Sequence, residues 1–98
     1  MTMKVTPRTA LAPAVIRVEV AVEADDDNRR LRIVAESEDF YRASELQIDG
    51  ATGPRVRSID FRHLPGGTYE VSATLSGIRG RRAMSTLAVE VLSTAGSP

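Results

Sequence analysis

Leu64-Pro65-Gly66-Gly67-Thr68-Tyr69-Glu70-Val71-Ser72-Ala73-Thr74-Leu75 joins a turn to a strand. Proline fixes φ and the paired glycines tolerate positive φ, so Leu64 to Gly67 reads as the turn. Beyond it Tyr69, Val71, Ala73 and Leu75 share one face, and Thr68, Glu70, Ser72 and Thr74 share the other. A period of two with one apolar side predicts a strand with one buried and one wet face. The tyrosine at its head can bury the ring while its hydroxyl reaches a backbone acceptor near the turn.

Working outward, Ser76 to Arg81 holds Gly77 and Gly80 and predicts a hairpin loop. The last strand spans Ala83 to Leu92, with Leu87, Val89 and Val91 inward. In the predicted register Tyr69 faces Val89, Val71 faces Leu87 and Ala73 faces Ser85. On the other side of the turn, Arg55 to Arg62 predicts a strand with Ile59 and Phe61 facing the core. Ser44 to Asp49 predicts another, with Leu46 and Ile48 inward, and a short additional strand fits near Ala51 to Val56.

Two more strands precede these. Ile16, Val18, Val20 and Val22 alternate with Arg17, Glu19, Ala21 and Glu23, and Leu31, Ile33 and Ala35 alternate from Arg30 to Ser37. Paired as an antiparallel hairpin about Ala24 to Asn28, Val22 faces Leu31, Val20 faces Ile33 and Val18 faces Ala35. The same register sets Glu23 beside Arg30 and Arg17 beside Glu36, so opposite charges meet. Residues 1–13 carry two prolines and no periodicity, and are expected as a flexible lead-in. One domain is expected over 14–92, with 93–98 a tail or linker. No segment has a 3.6-residue period.

The segment Leu64-Pro65-Gly66-Gly67-Thr68-Tyr69-Glu70-Val71 resembles the turn entering strand F of fibronectin type III and related bacterial immunoglobulin-like modules. The resemblance implies an immunoglobulin-like, two-sheet antiparallel sandwich of six to seven strands, with strand F paired to the last strand. It covers eight of 98 residues. The chain departs from fibronectin type III in having no tryptophan on the second strand and a Leu-to-Tyr gap one residue short. Only the sandwich class is therefore carried over, and a sandwich by itself assigns no activity.

Composition narrows the function classes. Thirteen basic and thirteen acidic residues balance, which disfavours a general nucleic-acid binder. Twelve arginines to one lysine read as bacterial high-GC coding bias. The absence of cysteine excludes disulfides, thiolate metal sites and cysteine nucleophiles. No apolar run approaches the roughly 20 residues of a membrane-spanning helix, so no membrane insertion is expected. An extracytoplasmic location, periplasmic or secreted, would need a signal outside these residues.

Each candidate for chemistry has a structural competitor. His63 is the sole histidine, but Asp60 and Ser58 lie at odd spacings from it, which on a strand sends the side chains to opposite faces. Asp25, Asp26 and Asp27 form the one carboxylate cluster and are weak calcium candidates. They lack the glycine and distal glutamate of an EF-hand loop, and a solvated hairpin turn accounts for them. Arginines at 29, 30, 32, 55, 57, 79, 81 and 82 are interspersed with acids and lack the interleaved aromatics of a nucleic-acid surface. Charged edge strands that discourage aggregation account for them better. Phe40 and Tyr41 are the weak ligand or interface candidates, with a hydrophobic cap over one end of the sandwich as the competing role.

The expectation is a non-enzymatic structural or protein-interaction module that uses no cofactor. Its partner is another protein or a second copy, met through edge strands or loops. The alternative is an accessory carbohydrate- or calcium-binding domain attached to an enzyme.

Overall fold

The computed structural model describes residues 1–93. It contains eight strands and no helix among those residues. They are β1 (Thr2–Thr6), β2 (Thr9–Leu11), β3 (Ala14–Ala21), β4 (Asn28–Glu36), β5 (Tyr41–Gln47), β6 (Val56–Leu64), β7 (Gly67–Gly77) and β8 (Gly80–Leu92). A three-stranded sheet of order β1-β3-β6 faces a five-stranded sheet of order β2-β8-β7-β4-β5. Every pairing is antiparallel except that of β2 with β8, which is parallel.

The alternating residues build the core between the sheets. Ile16, Val18 and Val20 enter from one side, and Leu31, Ile33, Val71, Ala73 and Val89 from the other, all essentially inaccessible. Burying one of these valine, leucine or isoleucine side chains contributes about 1.5–3 kcal/mol, so this seam holds the two layers together. The β7–β8 register is the predicted one, with Tyr69 opposite Val89, Val71 opposite Leu87 and Ala73 opposite Ser85.

The predicted β3–β4 hairpin is corrected. The two strands lie in different sheets: Val18 pairs with Ile59 and Val5, whereas Ile33 pairs with Ser44 and Ala73. Arg17 meets Asp60 at 3.0 Å rather than Glu36. Alternation specifies which residues face the core, and two strands facing one core from opposite sides carry the same pattern as neighbours in one sheet. Residues 22–27 are thus a crossing between layers that stand about 10 Å apart.

The lead-in expected over 1–13 is corrected as well. β1 flanks β3, with Val5 buried in the core, and β2 adds to the far edge of the five-stranded sheet beside β8. The strand count rises from six or seven to eight. No strand occupies residues 51–55, which form turn and bend before β6. The tail expected over 93–98 lies, beyond Ser93, outside the described residues.

Candidate functional site

Tyr69 sits where the turn passes into β7, at 1% exposure. Its hydroxyl donates to the Pro65 carbonyl at 2.7 Å, tying the strand to the turn four residues earlier. Burial pushes the phenol above its usual pKa, opposed by a hydrogen bond with Ser37 and by the charge of Arg42. Phe40 packs edge-on against this ring at 6.1 Å and 74°, and the Arg42 guanidinium lies 5.0 Å from the Phe40 centroid. Phe40 is therefore partly buried against the core. Tyr41 instead stands outward at 55% exposure and accepts a hydrogen bond from Arg32 at 2.6 Å. The two neighbouring aromatics are not brought together into one platform, because successive residues of an extended chain point to opposite sides.

The acidic run is built into the fold rather than left as a free turn. Asp27 presents Oδ1 to the Ile78 amide at 3.1 Å and Oδ2 to Arg82 at 2.7 Å. Asp25 presents Oδ2 to Arg82 at 2.8 Å and Oδ1 to the Asp27 amide at 2.8 Å. The crossing loop thereby grips the β7–β8 hairpin more than fifty positions along the chain. Asn28, at 1% exposure, donates to the Glu23 carbonyl at 2.9 Å. Its Oδ1 meets no donor among the described residues and lies beside a cleft of 190 Å³ lined also by Asp25, Leu75 and Arg82. Arg82 already supplies the positive charge in that cleft, and Asp26 contributes only its backbone carbonyl, to Arg29. Among the described residues no three acids or histidines converge as a metal site would require.

The amide of Ile78 and then Arg82 hold the Asp27 carboxyl below the usual carboxylate range. A depressed folded-state pKa contributes stability that is present above the unfolded value of about 3.9 and lost as pH falls through the lower folded value. The melting temperature is therefore expected to fall on acidification below about pH 4. In Asp27→Asn that part of the decline should be missing. Parallel thermal melts of the two proteins against pH check this, and superimposable profiles would refute the role of Asp27.

His63, the last residue but one of β6, has φ of 59°, in the left-handed region, and is exposed. Asp60 is engaged by Arg17 at 3.0 Å and Arg62 at 3.3 Å, and the Arg17 hydrogen bond lowers its pKa. Hence the fold supplies His63 with no orienting carboxylate from Asp60. The arginines are dispersed as chain ties: Arg29 to the carbonyls of Asp26 and Asn28, Arg42 to that of Arg62, and Arg57 to that of Gln47.

Two features escape a strand-by-strand reading. Among the described residues β5, a seven-residue strand, has no neighbouring strand on its outer side, so its edge is open to another strand. The outer face of the five-stranded sheet is also left uncovered by the described residues, and on it Glu36 of β4 lies directly opposite Glu70 of β7. Like charges so placed repel. A sequence holds no sign of it until the register is known.

No protein-family model matches the chain, and no curated protein matches it either. Among solved structures it is similar to a superoxide reductase (neelaredoxin) from Ignicoccus hospitalis, with a TM-score of 0.69, 9% identity, and 92% of this chain and 78% of that one covered. It is also similar to a myokine, with a TM-score of 0.58, 17% identity and 93% of each chain covered. At these identities the likeness is one of fold. It nonetheless corrects the expectation that the chain is not an enzyme: the same architecture carries a reductase, so a sandwich class does not argue against catalysis.

Proposed function

We propose that this chain is an immunoglobulin-like module, akin to fibronectin type III domains, that acts in protein–protein interaction. The observation that carries the proposal is the open side of the five-stranded sheet. The seven-residue edge β5, unpaired among the described residues, adjoins an outer face on which Val34, Ala43, Ser72 and Thr86 form a band without charge across four strands. Unpaired strand edges and low-charge sheet faces are the surfaces on which sandwiches meet other chains. The immunoglobulin-like part draws support from the pairing of β7 with the last strand and from the Tyr69 hydroxyl bonded back to Pro65.

The test places a photo-crosslinking amino acid at Ala43, which is exposed on β5, in the protein within its own cells, with His63 as the control position. An adduct between Ala43 and any polypeptide, identified by mass spectrometry, is expected. Adducts no more abundant at Ala43 than at His63 would defeat the proposal.

A further inference from the structure

We infer that the outer face of the five-stranded sheet docks onto the same face of a second copy, by a two-fold axis lying along the uncharged band. This rests on the interaction reading above and names its partner. The charges on the face are polar in arrangement. On one side of the band stand Glu36, Glu70 and Glu90; on the other stand Arg30, Arg32 and Arg81. Arg81 belongs to this face because its guanidinium reaches the sulfur of Met84, which is outward-facing and 52% exposed. The arginine side contains one acid, Glu45, at 3.7 Å from Arg30 and 3.8 Å from Arg32. Near the acidic side, Arg8 donates to the Ala88 carbonyl. Glu36 and Glu70, side by side, make no ion pair among the described residues.

Two sheets packed face to face keep their strands within about 30° of parallel or antiparallel alignment. A two-fold axis along the band reverses the strand direction of the second copy. Each residue two positions beyond the band then faces the residue two positions before it. Along β4, Glu36 faces Arg32 of the second copy. Along β8, Ala88 faces Met84, and farther out Glu90 faces Arg81. Opposite charges and apolar side chains meet simultaneously, and symmetry repeats every contact. The repulsion between Glu36 and Glu70 is relieved by the arriving Arg32. Side chains from both faces span the gap of about 10 Å usual between packed sheets.

Sedimentation velocity over a concentration series tests this with Glu36→Arg and Arg32→Glu, both at exposed sites, with circular-dichroism melts to verify that each variant is folded. Wild type is expected to dimerise. Each variant alone sets like charges together twice per dimer, and its dissociation constant should rise by at least about tenfold. Mixing the two variants restores an attractive pair at both positions, so the mixture is expected to dimerise again. A wild type that stays monomeric throughout, or a mixture no more associated than its components, overturns the self-docking. If Ala43 then crosslinks to a different polypeptide, the interaction reading stands without self-docking; if it crosslinks to none, both fall.

Discussion

Tyr69→Ala is expected to lower the stability of the folded domain by about 3–5 kcal/mol, the range for deleting a buried aromatic side chain. Three contributions add at this position. The ring is the largest of the fully buried side chains and fills the head of the core. Its edge contact with Phe40, 6.1 Å between centroids, is lost with it, and such pairs contribute about 0.5–1.5 kcal/mol. The Pro65 carbonyl also loses the hydroxyl that bonds to it at 2.7 Å. A domain of this size has a total stability of about 5–15 kcal/mol, so the variant is expected to be near its limit. Tyr69→Phe separates the terms. It keeps the ring and removes only the hydroxyl, and should cost about 1 kcal/mol. Urea unfolding of the three proteins provides the measurement. Equal costs for the two variants would mean that packing at Tyr69 contributes nothing, contrary to its burial.

Gly77→Ala is the second large effect, and its cause is close approach rather than backbone conformation. A Cβ there would overlap Asp27 Oδ2 and lie 2.6 Å from the Asp27 carbonyl oxygen. The carboxylate could swing aside only by releasing Arg82 and the Ile78 amide, and the carbonyl belongs to the crossing loop itself. A forced shift of this kind costs about 1–3 kcal/mol, to which the loss of the loop's grip on the hairpin adds. The same substitution at Gly80 meets nothing within 4 Å, so its cost comes only from the positive φ of 117°. A lower urea midpoint for Gly77→Ala than for Gly80→Ala is expected. Amide exchange should also accelerate at Ile78 in the former. Unchanged protection at Ile78 would show that the loop does not clamp the hairpin.

These two sites illustrate what could be read in advance. Tyr69 was legible because it follows a Pro-Gly-Gly turn and begins a strict alternation, both local signals. Gly77 was readable only as a loop glycine, since its neighbour Asp27 is fifty positions away and no local pattern links them. The same limit explains the acidic run. Three consecutive aspartates suggest a solvated turn or a cation site, while the engagement of Asp25 and Asp27 with Arg82 depends on β4 and β8 sharing a sheet through β7. The surface candidates fared likewise. Phe40 and Tyr41 are adjacent in sequence, yet one packs on Tyr69 and the other faces solvent.

By itself the order of residues determined the all-β class, the faces of β3, β4, β7 and β8, and the pairing of the last two strands across a short loop. Those follow from side-chain period and from turns that leave little freedom of register. Only the tertiary structure decided which sheet each strand joins, that residues 2–11 add two edge strands, and that Glu36 and Glu70 stand together on the outer face of the five-stranded sheet. The physical reason is that period encodes direction toward a core without encoding the side from which a strand approaches it. Short edge strands take their order from backbone pairing with a neighbour already in place, and charges far apart in sequence meet only once those neighbours are chosen.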